Sequence, residues 1–129
     1  MDLDTAALAI AILLGWVAVV HLALAAGLRR GELVWAGRYP RLLTPDLRLR
    51  SALIAVLLLL SGWTLSEATG LVTAGLIPDR YMQSATFMAT AFLGAYALYA
   101  LISGSRWERM IFAPIMLAGT ALAAWLTFA

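Results

Sequence analysis

The sequence predicts an all-α fold: an integral membrane bundle of four transmembrane helices, with both termini outside and helices 3 and 4 forming a tight hairpin. Three observations predict it. The chain is 64% hydrophobic and only 12% charged, whereas a soluble domain is about half apolar and about a quarter charged. A water-soluble core of this length could not hide so much apolar surface. Its apolar residues are gathered into four runs, each near the roughly 20 residues that a helix needs to cross a bilayer. The basic residues fall in alternate gaps between those runs.

Span 1 is read over 5–26, where His21 is the sole ionisable side chain. Asp2 and Asp4 precede it and suit the positive end of a helix. Ala23-Leu24-Ala25 could pass as a cleavage site, but the preceding segment is acidic and the apolar run is long for a signal peptide. Residues 27–50 form a basic loop with six arginines. Gly27 and Gly31 can end helix 1. Trp35 and Tyr39 are expected as interfacial rings, and Pro40 breaks any continuing helix. Thr44-Pro45-Asp46 reads as a helix start: an N-cap, a first-turn proline and a first-turn acid.

Span 2 is read over 51–71. Its first half is uniformly apolar, whereas Ser61, Gly62, Thr64, Ser66, Glu67 and Thr69 crowd its second half. Polar groups in a membrane helix face other helices or a cavity, so that half is expected inside the bundle. Pro78 marks the start of helix 3, and span 3 is read over 81–102. Ser103-Gly104-Ser105 is expected as a tight turn with Gly104 left-handed, and Ser105 and Glu108 have the spacing of a capping box. Span 4 is read over 107–128, with Pro114 tolerated in its first turns. The whole chain, 1–129, is a single four-span domain.

Eight of the nine arginines lie in loop 1 and the third connection; Arg80 alone lies in the second. By the positive-inside rule, loops 1 and 3 are cytoplasmic. Lys, Asn and Cys are all absent. The lack of Lys and Asn fits a GC-rich bacterial coding bias, and the expected location is the bacterial cytoplasmic membrane. Without Cys there are no disulfides and no thiolate chemistry.

Two ionisable residues lie at membrane depth. His21 is a candidate cofactor ligand, for a haem or pigment, or a proton relay; otherwise it is a neutral imidazole bonded to another helix. Glu67 either serves an intramembrane function or sits near the outer interface with Arg80, Gln83 or Ser84. At about 1.5 Å per residue, His21 lies roughly 8 Å from the cytoplasmic end and Glu67 roughly 24 Å. They are expected as two separate polar spots, with His21 level with Tyr99 and Pro114. Small residues at four-residue spacing (Ala7, Ala11 and Gly15; Ala85 and Ala89; Thr90 and Gly94; Gly119 and Ala123) permit close helix approach. Trp16, Trp63, Trp107, Trp125, Tyr81 and Tyr99 are expected as belt or packing rings. No phosphate-binding loop, nucleophile elbow or metal-ligand cluster is visible. No catalytic residue is singled out, no cofactor is required, and nothing points to nucleic acid.

The stretches Gly37-Arg-Tyr-Pro40 to Arg50-Ser-Ala-Leu53, Ser105-Arg-Trp-Glu-Arg109 with Ala113-Pro114, and Gly15, Trp16 and His21 resemble small four-span bacterial membrane proteins of unknown function. The resemblance implies a four-helix fold and carries no activity. The expected function is non-enzymatic: an accessory or structural subunit packing against other membrane chains or a second copy of itself. Arg29, Arg30, Trp35, Arg38, Tyr39 and Arg41 are then the contacts to anionic lipid or a partner. One alternative is a small transporter or channel using Glu67 and the polar half of span 2. Another is a membrane enzyme that holds an anionic lipid or conjugate through the loop 1 arginines.

Overall fold

The computed structural model describes residues 2–38 and 43–128. Among them every regular element is helical: α1 (Leu3–Ala25), α2 (Pro45–Ala68), α3 (Asp79–Leu101) and α4 (Ala113–Phe128). Two single 3₁₀ turns, Gly31–Leu33 and Trp35–Gly37, lie between α1 and α2. A π-helical turn, Glu108–Phe112, leads directly into α4. Counting that turn with α4, four helices are long and apolar enough to cross a membrane.

Local chemistry explains where the helices start and stop. The Asp2 side chain accepts from the Thr5 amide at 2.8 Å, closing the first turn of α1. At the other end Gly27 takes a φ of +116°. The Gly27 amide then bonds Leu24 O at 3.2 Å and the Leu28 amide bonds Ala23 O at 2.9 Å, a Schellman ending. Arg48 on α2 adds a clamp, donating through Nε to Ala25 O at 2.9 Å. The Thr44-Pro45-Asp46 signal is realised: α2 begins at Pro45, and Thr44 Oγ1 accepts from the Leu47 amide at 3.4 Å.

The expected left-handed Gly104 is not found; among the described residues the glycines with positive φ are Gly27, Gly37, Gly70 and Gly75. The turn after α3 is held by side chains instead. Ser103 Oγ accepts from the Ser105 amide at 3.0 Å, and Arg109 Nη1 donates to Ser103 O at 2.7 Å. Pro114 shapes the entry into α4. A proline lacks an amide hydrogen and its ring crowds the carbonyl four residues earlier. The preceding turn widens accordingly, with the Ala113 amide bonding Glu108 O.

The helices pair unequally. α1 packs closely on α2 and α3 on α4, while α2 and α3 touch much more sparsely. The core runs along the α1–α2 and α3–α4 contacts and includes Leu14, Val17, Leu58, Leu93, Phe112 and Met116. Small residues permit the approach: a Cβ on Gly62 would meet Ala11 Cα at 3.9 Å, and one on Gly119 would meet Leu93 Cδ1 at 3.1 Å. Gly15 meets nothing within 4 Å and is not such a contact. The sparse α2–α3 seam is the feature that positions the site.

Candidate functional site

The site lies at the end of the bundle that carries the basic loop. His21, on the last turns of α1, is 1% exposed. Its Nε2 lies 2.8 Å from Tyr96 Oη on α3. The rings meet edge to face, with centroids 6.0 Å apart, and Phe112 lies 6.5 Å away on the third side. The other nitrogen, Nδ1, is buried and has no hydrogen-bond partner.

One helical turn along α3, Tyr99 Oη donates to Glu108 Oε1 at 3.0 Å. Ser103 Oγ donates to the same oxygen at 2.7 Å. Glu108 is 1% exposed. The spacing of Ser105 and Glu108 is that of the expected capping box. Ser105 Oγ does accept from the Glu108 amide at 3.4 Å. The carboxylate, however, takes the Tyr99 and Ser103 hydroxyls rather than serving only as a cap, because the wide π turn carries it into the bundle.

Trp35 closes the loop side. It is the one described non-glycine residue with a positive φ, 54°. Beside it, Val34 is fully buried. The Trp35 indole Nε1 donates to Ser51 Oγ on α2 at 2.9 Å. The sequence predicts an interfacial ring at Trp35; the structure adds its bond to Ser51, near the start of α2.

His21, Trp35, Ile54, Phe92, Ala95, Tyr96, Tyr99 and Glu108 enclose a cavity of about 200 Å³. Ile54 stands on α2 and the Phe92–Tyr99 residues on α3, so the cavity sits in the sparse seam. Ala95 is exposed and Tyr99 is 36% exposed, which puts its mouth on the lateral surface of the bundle. The lining is almost wholly apolar, with its polar atoms confined to His21, Trp35, the two tyrosines and Glu108.

Glu67 is elsewhere. It accepts from Trp63 Nε1 and from the Ile77 amide at 3.3 Å, tying α2 to the connection after it. Gln83, a partner that the sequence allows for Glu67, donates instead to Thr127 O at 3.1 Å. The hydroxyls of that half of α2 bond their own helix: Thr64 to Leu60 O and Ser66 to Gly62 O, both at 2.8 Å, and Thr69 to Leu65 O at 2.9 Å.

Arg29, Arg30 and Arg38 are exposed; Tyr39 and Arg41 lie outside the described residues. His21 Nε2 is engaged by Tyr96, and the adjoining cavity is about 200 Å³. Among the described residues no group of three or more His, Asp or Glu could hold a metal ion.

Sequence reasoning missed Tyr96 and the inward role of Glu108. The spacing of Tyr96 and Tyr99 puts both within one turn of a helix, and level with His21, which was the available signal. No known protein family matches the chain, and no curated protein or solved structure does.

Proposed function

We propose that this chain is a non-enzymatic multi-pass protein of the bacterial cytoplasmic membrane that holds a small amphiphile in the cavity beside His21, as an accessory subunit rather than a catalyst. Its termini face outward, and its basic loop and the 103–109 turn face the cytoplasm. The arginine distribution supports that orientation. Exposed Arg29, Arg30, Arg38 and Arg106 then meet anionic headgroups, each worth about 1 kcal/mol near the surface.

The observation that carries the reading is the buried, unpartnered Nδ1 of His21, a residue that lines the cavity in the α2–α3 seam. An unsatisfied buried polar atom costs about 1–3 kcal/mol. A bound molecule with one polar group would remove that cost and fill the apolar space. A transport path through Glu67 lacks comparable support, because its carboxylate is engaged and the neighbouring hydroxyls bond their own helix.

The test is extraction of small molecules from protein purified in native lipid particles. Wild type should retain a stoichiometric amphiphile that Ala95→Phe, which plugs the mouth, does not. Equal small-molecule content in wild type, the variant and bulk lipid would refute the reading.

A further inference from the structure

Resting on the ligand-holding reading, we infer that the amphiphile carries a single oxygen-bearing six-membered ring as its head and a flexible apolar tail, the chemistry shared by prenylated quinones, quinols and phenols. The ring sits in the His21–Tyr96–Tyr99–Glu108 chamber and the tail runs along the α2–α3 seam.

Size sets the head. An apolar cavity of about 150 Å³ takes a benzene molecule. The chamber, at about 200 Å³, takes one ring with small substituents and excludes a fused polycyclic head. Shape agrees with size. Trp35, Phe92, Tyr96 and Tyr99 are all aromatic walls, and rings gain from offset or edge-to-face packing. Tyr96 already packs edge to face on both Phe92 and Tyr99, with centroids 6.3 Å and 6.1 Å apart.

The polar groups set the ring's substituents. They stand at two places: His21 on the Tyr96 hydroxyl and Glu108 on the Tyr99 hydroxyl. A ring with oxygen at two positions can address both. His21 also adapts to either oxidation state of such a ring. If Tyr96 Oη donates to Nε2, Nδ1 carries the hydrogen and can donate to a carbonyl. If Nε2 donates to Tyr96, Nδ1 accepts from a hydroxyl.

The seam accommodates the tail. Phe92 is shared between the chamber and a second cavity of about 300 Å³ in the same seam. Leu57, Leu60, Ala85, Met88 and Ala89 line that second space together with the hydroxyl-bearing Ser61 and Thr64. It leads away from His21 and Glu108, toward the opposite end of the bundle, and its lining is apolar enough for a flexible alkyl or prenyl chain.

The test uses the full chain in nanodiscs, titrated with a decyl-substituted benzoquinone, its reduced quinol, and decanol, each measured against empty nanodiscs. Quinone and quinol should both saturate at one per chain, with affinities within a few-fold of each other. Decanol, which has the same tail and no ring, should bind at least tenfold more weakly. His21→Phe should weaken ring binding about tenfold, the scale of one hydrogen bond. Ala95→Phe should abolish it at an unchanged melting temperature, which keeps the result readable if His21→Phe folds poorly. Decanol binding as tightly as the quinone would overturn the ring inference and leave the ligand-holding reading standing. Saturation by no probe, together with no amphiphile recovered from native particles, would overturn both.

Discussion

The two ends of the bundle contain similar polar residues and use them differently. At the basic-loop end, polar side chains reach from one element to another: His21 with Tyr96, Trp35 to Ser51, and Tyr99 and Ser103 to Glu108. At the opposite end most hydroxyls turn back on their own helix, as Thr64, Ser66, Thr69, Thr90 and Thr127 do. Among the described residues, Gln83 to Thr127 O, the 3.5 Å approach of Thr90 and Thr127, and the Ile77 amide to Glu67 are crossing contacts there. A back-bonded hydroxyl satisfies itself and specifies little about its neighbours. A crossing bond fixes the relative depth of two helices and leaves a shaped space between them. The composition of the two ends therefore says less than the direction in which each side chain bonds.

Substitutions can break this contrast, and the largest effect should fall on Glu108. Glu108→Ala removes two hydroxyl partners at once. Crossing bonds in membrane proteins average about 0.6 kcal/mol and reach about 1.7, so a loss of about 1–3 kcal/mol is expected in reversible unfolding from detergent. Glu108→Gln, which keeps an accepting oxygen, should lose less than half of that. Next comes Tyr96→Phe, which leaves both imidazole nitrogens of His21 without a partner. It should cost about 0.6–1.7 kcal/mol in the same measurement. At the other end, Thr64→Ala and Ser66→Ala should each fall within about 0.5 kcal/mol of wild type. A loss there as large as that of Tyr96→Phe would erase the distinction between the two ends.

The smallest effect concerns the start of α1. The Thr5 amide and hydroxyl hold the Asp2 carboxyl below its ordinary value of 3.8. A carboxyl lowered by folding stabilises above its unfolded value, and that contribution fades as pH falls through the lowered one. The protection of the Thr5 amide, taken against its intrinsic exchange rate at each pH, should thus fall below about pH 4 and stay constant near neutrality. The same loss of protection at neutral pH in Asp2→Ala would identify the cap as its cause.

How much of this was legible in the sequence depends on the range of the interaction. Thr44-Pro45-Asp46 marks the α2 start because a cap is local: the side chain bonds an amide three residues away. Gly27 is legible for the same reason. Glu108 is legible only in part: its Ser-x-x-Glu pattern marks the cap that Ser105 Oγ makes with the Glu108 amide, and not the bonds its carboxylate takes. Its inward turn depends on the π register before Pro114, which no short pattern announces. The depth of His21 on α1 comes from counting residues and places it beside Tyr96 and Phe112, within about one turn of the level expected. That count cannot choose between Tyr96 and Tyr99, because rotation about the helix axis decides which of them faces α1. The Trp35 contact with Ser51 depends on a positive φ at a tryptophan, to which its residue type gives no clue. The α2–α3 cavity was beyond sequence reading, since it arises from two helices failing to pack closely.

The most direct measurement is an experimental structure of the full chain purified with its native lipids, at a resolution that shows bound molecules. Continuous non-protein density is expected in the chamber between Ile54, Phe92 and Ala95, within hydrogen-bond distance of His21 Nδ1 and extending down the α2–α3 seam. Closure of the chamber, with Ile54 packed against Tyr96 and His21 Nδ1 bonded to another side chain, would contradict the account.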